Sequence, residues 1–284
     1  MRNYKKHVII LGSARSGTSW LSEMMAQKKR YRMLFEPEQE NRTKKGHLLC
    51  DRWLQHKADS KAANRYLKEV FSNRVDCDWI AQNSNRKFKR HLWPLIPKKF
   101  VIKFVRCNLL GSYLSQNFGI PVIHLHRNPY EVLASQSRVN FPWLEDLARF
   151  KSQDKLVNSI IDRFNFDIRN TEDLSILQLR TLRWCIENVL PLEVFPKESE
   201  NYKIVSYTDI RGDINNFYEL CEKFEVELIE NIADFYSMPS SKAHREGVIN
   251  NKVEIEKMFT EGELQDINEI LDIFETNLYP RLRL

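Results

Sequence analysis

Apolar residues follow two rhythms along this chain. Short, nearly unbroken apolar runs occupy residues 7–11, 100–105, 121–126 and 203–207, and the first of them stops at Gly12. Runs of that length predict buried strands. Elsewhere apolar positions recur every three or four residues, the period of a helix with one buried face. Trp20, Leu21, Met24 and Met25 share such a face in a segment that starts near Thr18. Asn128-Pro129 opens a second helix through residue 138, with Asn128 as N-cap and Pro129 in the first helical position. Leu179, Leu182, Ile186 and Val189 mark a third, which Pro191 is expected to end. Ile214, Phe217, Tyr218, Cys221 and Phe224 mark another, and Leu264, Ile267, Leu271, Phe274 and Leu278 the last. Buried strands alternating with helices predict βαβ units, hence an α/β fold with a central parallel sheet flanked by helices. No internal repeat, low-complexity tract or linker interrupts the chain, so one domain over residues 1–284 is expected.

Composition narrows the class. The 284 residues are 42% hydrophobic and 29% charged, which excludes disorder as the main state. No apolar run nears the roughly eighteen residues of a membrane span, and residues 7–11 are too short and too early for a signal-peptide core. A soluble, cytoplasmic protein is expected. Cys50, Cys77, Cys107, Cys185 and Cys221 are odd in number and scattered, which suits reduced thiols better than a disulfide framework. They form no metal-ligand cluster, and no metal requirement is expected.

The net charge is +6, but its distribution is more informative. Residues 79–130 hold nine lysines and arginines and no acid, while residues 187–275 hold 21 acids against eight lysines and arginines. One part of the fold should present a positive potential to a polyanion such as a nucleotide, a phosphate or a sulfated glycan. The alternative for Arg86, Lys87, Lys89, Arg90, Lys98 and Lys99 is a solvated basic face.

The segment from Val8 to Leu21 carries the strongest motif. A strand runs into Gly12, Gly17 and Thr18, and a helix follows, so backbone N–H groups and a helix N-terminus converge on an anion site. The glycine spacing matches GxxxxGK[ST], with Thr18 in the lysine position and Arg15 supplying charge inside the loop. The fold expected is therefore P-loop-like. A second site is predicted after the strand at 121–126. Arg127 would project from the C-terminal edge of a parallel sheet, and Ser135 would lie two turns into the next helix. A guanidinium and a hydroxyl can hold a second phosphate.

Both motifs resemble those of the sulfotransferases that use 3′-phosphoadenosine 5′-phosphosulfate (PAPS). Their 5′-phosphosulfate loop reads approximately [RK]SGT[ST]WL, and this chain has Arg15-Ser16-Gly17-Thr18-Ser19-Trp20-Leu21. Their 3′-phosphate motif places a serine eight residues after an arginine, as Arg127 and Ser135 are placed here. The resemblance implies PAPS as co-substrate, PAP as product, and in-line transfer of a sulfuryl group to an acceptor hydroxyl or amine. It implies that Gly12 and residues Arg15 to Ser19 hold the 5′-phosphosulfate.

Such a transfer needs a cation near the reacting group and a base for the acceptor proton. Lys103, in an apolar strand, resembles the family's lysine near the transferred group; an edge-strand lysine facing solvent is the alternative. Glu36, in Phe35-Glu36-Pro37, resembles the base of one branch, and the tripeptide resembles carbohydrate sulfotransferases; a surface carboxylate beside Glu38 and Glu40 is the alternative. His124 and His126 are rival bases that the strand pattern assigns to the core. More weakly, Tyr207 resembles a tyrosine near the adenine. Arg245, in His244-Arg245-Glu246-Gly247, lies where some members carry Arg-Lys-Gly for the 3′-phosphate, and Glu246 departs from that pattern. The resemblance and the basic stretch lean towards a saccharide acceptor, with a lipid, a small phenol and a peptide as alternatives; a nucleic-acid partner and a membrane span are not expected. A small-molecule kinase of P-loop type and a non-catalytic nucleotide- or polyanion-binding module remain as alternatives.

Overall fold

In this computed structural model, which describes residues 4–75, 77–82, 98–195, 198–241 and 255–283, β1 (Val8–Leu11) runs straight into the glycine loop and α1 (Thr18–Met25) leaves it. The chain continues through β2 (Tyr31–Phe35), α2 (Lys61–Phe71), α3 (Asp78–Ala81), β3 (Lys99–Phe104), α4 (Gly111–Phe118) and β4 (Val122–His126). Next come α5 (Pro129–Gln136), α6 (Ala148–Lys151), α7 (Asp154–Phe164) and α8 (Ile176–Val194). The last elements are β5 (Glu198–Ser199), β6 (Tyr202–Ser206), α9 (Tyr207–Gly212), α10 (Ile214–Lys223), α11 (Ile232–Tyr236) and α12 (Glu261–Ile273). They gather into two compact units: residues 1–126 with 196–243, and residues 127–195 with 244–284.

The first unit holds the sheet. Its order is β2-β3-β1-β4-β6-β5, parallel throughout except for the short antiparallel edge strand β5. β1 leads away to β2 on one side and β4 to β6 on the other, so the sheet's switch point lies between β1 and β4. Ligands of open α/β sheets bind beyond the carboxyl ends of such strands. Alternation along the strands divides the core into two layers. Val8, Ile10, Val101, Ile123 and Leu125 pack under Leu21, Met24 and Met25 of α1, with Phe217, Leu220 and Cys221 of α10 in the same cluster. Fully burying each such side chain contributes about 1.5–3 kcal/mol. On the opposite face, α4 approaches so closely at Gly111 that a Cβ there would meet the Tyr202 ring at 2.7 Å and Leu11 at 3.2 Å.

The second unit is helical among its described residues. Asn128 caps α5 as expected, its side chain accepting from the Tyr130 N–H at 3.0 Å, and α5 packs on α8. α8 begins with a capping box on Ser175 and Gln178 and packs against α12, which has its own box on Thr260 and Glu263.

Three local expectations change. α8 does not end at Pro191 but continues to Val194, with the Phe195 N–H donating to the Pro191 carbonyl at 3.0 Å. A helix-interior proline costs about 3 kcal/mol. The residues from Thr181 to Pro191 are buried without a break, and that packing outweighs the lost hydrogen bond. α12 stops before Leu278, with Phe274 as its C-cap. Lys99 is no part of a solvated face: it is buried in β3 and donates to the carbonyls of Phe224 and Glu225 at 3.3 and 2.6 Å. Lys98 is exposed and pairs with Glu227 at 3.6 Å, while Arg86, Lys87, Lys89 and Arg90 lie outside the described residues. The five cysteines are free thiols. No helix of the described residues is long and apolar enough to cross a membrane, and none of their His, Cys, Asp and Glu side chains form a group of three or more able to hold a metal ion.

Candidate active site

The loop between β1 and α1 is shaped by close approaches. A Cβ on Gly12 would lie 2.4 Å from the Leu125 carbonyl oxygen and 2.7 Å from Thr18 Cγ2, so only glycine fits against β4. Arg15 and Gly17 both adopt the left-handed conformation, at φ of 75° and 93°. Turns of this kind direct successive N–H groups inward. Gly17 caps α1, whose first-turn N–H groups, from Thr18 onward, have no partner within the helix. The Ser16 hydroxyl is fully buried and makes no hydrogen bond. A buried hydroxyl left unmatched beside converging amides fits an anion with several acceptor oxygens, such as a phosphosulfate. The Tyr207 ring covers Gly17 so closely that a Cβ there would lie 2.3 Å from its carbons. Tyr207 packs edge-on against Trp20, their ring centres 6.0 Å apart. Thr18 is buried, while Ser19 and Arg15 are half-buried.

The sheet register sets the second group of residues. Lys103 pairs with Ile10 of β1 on one side and Phe35 of β2 on the other, so it sits on an inner strand rather than an edge. It lies two residues after Val101 and so shares the α1 face of the sheet. Glu36 follows directly on β2, its N–H donating to the Lys103 carbonyl at 2.9 Å. Its backbone is left-handed at φ 43°, which turns the side chain back toward β3. The Lys103 ammonium donates to Glu36 Oε1, and Gln39 Nε2 donates to Oε2 at 3.2 Å. Lys103 is 3% exposed and Glu36 7%, so neither is a surface charge. The ammonium also lies 4.2 Å from the centre of the Phe35 ring.

Glu38 was not singled out in the sequence, yet it belongs to this cluster. It is wholly buried and accepts from the N–H groups of Val105 and Arg106 through Oε1, at 2.6 and 3.2 Å, while Oε2 makes no hydrogen bond. Burial and the neighbouring Glu36 charge push its carboxyl up to about 8. Arg106 is taken up in a buried ion pair with Asp51 and a half-buried one with Glu40. The acidic run from Glu36 to Glu40 was the available signal, but acids near a proline usually read as a solvated turn.

The two histidines point away from Lys103. Ile123 and Leu125 pack on the α1 side, so His124 and His126 face the other layer. His124 Nδ1 and the Tyr202 hydroxyl are hydrogen-bonded at 3.0 Å. Burial lowers His126 to about 4, leaving it neutral near pH 7.

In the second unit, Arg127 is 5% exposed, and its carbonyl accepts from Trp184 Nε1 at 3.2 Å. Its guanidinium donates through Nε and Nη2 to a single oxygen of Glu131, both at 2.5 Å. Ser135 is buried one turn further along α5. Arg245 lies outside the described residues.

No known protein-family model matches the sequence, and no curated protein matches it either. Solved structures do. Mouse sulfotransferase SULT7A1 complexed with PAP superposes with a TM-score of 0.50 at 12% identity, covering 96% of this chain and 86% of that one. A sulfotransferase domain from the curacin biosynthetic pathway gives 0.45 at 15% identity, covering 97% of this chain and 93% of its own. Sulfotransferase STF9 from Mycobacterium avium gives 0.43 at 16% identity, covering 98% and 78%. At 12% identity the likeness to the mouse protein is one of architecture, and the fold of this chain is that of a sulfotransferase.

Proposed function

We propose that the protein is a PAPS-dependent sulfotransferase, one domain over residues 1–284, that moves a sulfuryl group to an acceptor hydroxyl or amine. The observation that carries this is the buried Lys103–Glu36 pair, fixed by strand register on the face of the sheet where the glycine loop and α1 lie. PAPS would supply an activated sulfuryl group whose bond to the 5′-phosphate breaks as the acceptor oxygen bonds to sulfur. Gly12, Ser16, Gly17, Thr18 and Ser19 offer backbone amides and hydroxyls to the phosphosulfate, and Arg15 adds charge. Lys103 balances negative charge on the leaving oxygen, the role that preorganised donors fill best in a site shielded from water. Glu36 accepts the acceptor's proton. Arg127 and Ser135 hold the 3′-phosphate, and Arg245 joins them. Tyr207, already packed on the loop, borders the adenosine.

The Phe35-Glu36-Pro37 resemblance favours a saccharide acceptor, and the free thiols suit a reducing compartment such as the cytoplasm. Calorimetric titration of the purified protein with PAP, and with ATP as control, tests the donor assignment. Tight PAP binding with weak ATP binding is expected. ATP binding well and PAP not would overturn it in favour of a kinase. Sulfate transfer from PAPS to a panel of saccharides, phenols and amines then tests the acceptor, and transfer confined to phenols would remove the saccharide. Glu36→Gln should abolish transfer while leaving PAP affinity within a few-fold, and wild-type turnover in that variant would eliminate Glu36 as base.

A further inference from the structure

Residues 127, 131 and 135 stand at four-residue intervals, and within α5 the step from Glu131 to Ser135 advances about 6 Å while turning only some 40°. Arg127 stands just ahead of the N-cap of α5, Glu131 lies in its first turn, and Ser135 lies one turn beyond. Any phosphate held jointly by Arg127 and Ser135 must come to the stretch of helix surface between them. That stretch already carries the Glu131 carboxylate, which takes the Nε and Nη2 edge of Arg127 through Oε2 at 2.5 Å for each contact. This is the edge of a guanidinium suited to bidentate binding of a phosphate. The pair is largely out of water, with side-chain exposures of 7% and 22%.

We propose that Glu131 is an internal competitor for the 3′-phosphate: it occupies Arg127 when no nucleotide is bound and sets how tightly a 3′-phosphorylated nucleotide is retained. The inference rests on assigning Arg127 and Ser135 to the 3′-phosphate. A dianionic phosphate and a carboxylate cannot share one guanidinium edge without repulsion, so binding requires Glu131 to withdraw. The same carboxylate is poised to return to Arg127 as the product PAP departs, which makes Glu131 a determinant of product release as well as donor affinity.

The test is calorimetric titration of wild type, Glu131→Gln and Arg127→Ala with PAP and with adenosine 5′-monophosphate, which lacks the 3′-phosphate. Glutamine keeps an oxygen for Arg127 and adds an amide that can donate to phosphate. Glu131→Gln should bind PAP about tenfold more tightly, roughly one charge-assisted hydrogen bond. The adenosine monophosphate constant should stay within about twofold of wild type, which also reports an intact fold; Glu131→Ala serves the same comparison if the glutamine variant does not fold. Equal or weaker PAP binding would overturn the inference, because Glu131 would then be orienting Arg127 rather than competing for it. Equal tightening of both nucleotides would overturn it too, since the effect would not lie at the 3′-phosphate. Arg127→Ala separates the premise from the inference. Its preference for PAP over the monophosphate should collapse, and a preserved preference would remove the 3′-phosphate assignment itself, whatever Glu131 does.

Discussion

Replacing Lys103 with methionine isolates the energetics of the central ion pair. The substitution keeps the unbranched apolar stem of the side chain and removes its charged end, leaving the Glu36 carboxylate buried near a second acid, Glu38. The side chains of Lys103 and Glu36 are 4% and 9% exposed, far from the solvent-screened regime in which a pair contributes about 0–1 kcal/mol. Removing one partner of a buried pair costs about 3–5 kcal/mol. Gln39 still donates to Glu36 Oε2, which recovers part of that, so a loss near 3 kcal/mol is expected. Glu36→Gln strands the ammonium instead but leaves it an amide oxygen to bond, and should lose less. The double variant Lys103→Met/Glu36→Gln buries no charge at this position. It should lose less than the sum of the singles, with a coupling of about 2 kcal/mol, within the range seen for contacting groups. Urea unfolding midpoints of the four proteins at pH 7 give all these quantities. A Lys103→Met loss below about 1 kcal/mol, together with additive behaviour of the double variant, would refute the buried pair.

Three further outcomes follow from named contacts. Glu38, pushed up to about 8 from an ordinary value near 4.5, holds its proton in the folded state over a window where the unfolded chain has lost it. Its contribution to stability is therefore complete below about pH 4.5 and lost as pH rises through 8; Glu38→Gln should gain on wild type between pH 5 and 9 in urea midpoints, and parallel profiles would sink the assignment. His126 behaves in the opposite sense: lowered to about 4 by burial, it contributes stability present above about pH 6.5 and lost as pH falls through 4, so His126→Asn should flatten the acid limb of the same curve. Gly17→Ala must place a Cβ against the Tyr207 ring at φ 93°, and should lose more than about 1 kcal/mol along with PAP affinity. Gly262→Ala, with open space around it in α12, should be neutral or stabilising, and equal tolerance of the two would show that the loop is not so constrained.

What the sequence discloses and what it hides divide along physical lines. The inner strands β1, β3 and β4 were legible because buried parallel strands are short unbroken apolar runs. β2 was not, because Arg32 interrupts Tyr31–Phe35 although all five residues are buried. α2 carries Ala63, Tyr66, Leu67 and Val70 at helical spacing, a stripe that was readable and is absent from the predicted elements; α4, opening on glycine and carrying Ser112, Ser115, Gln116 and Asn117, gave little signal. Loop residues Gly12 and Gly17 were found because glycine spacing encodes backbone shape directly. Glu38 was missed because its burial depends on backbone donors 67 and 68 residues away, and half-buried Glu131 because a pairing with Arg127 four residues back reads as an ordinary surface pair.

The placement of charge in the first unit bears on why the loop can lack a lysine of its own. In the GxxxxGK[ST] pattern the cation rides on the loop and follows the phosphates it cradles. Here that position is Thr18, and a cation is carried instead by a strand: Lys103, held by register between Ile10 of β1 and Phe35 of β2. A lysine in the middle of a sheet cannot track a moving anion, and a lone ammonium at 3% exposure would be costly. Glu36 removes that cost in the absence of a ligand, and the β2–β3 pairing that sets Phe35 opposite Lys103 places Glu36 beside it. On the proposed chemistry, an anion at the loop would meet a cation whose charge is already offset, and would gain most where its oxygens displace Glu36 from the Lys103 ammonium. That exchange would leave Glu36 without its principal donor. Donor binding would itself free the base, which predicts that PAP protects Lys103→Met far less from urea unfolding than it protects wild type. Equal protection of the two would mean that Lys103 does not engage the nucleotide.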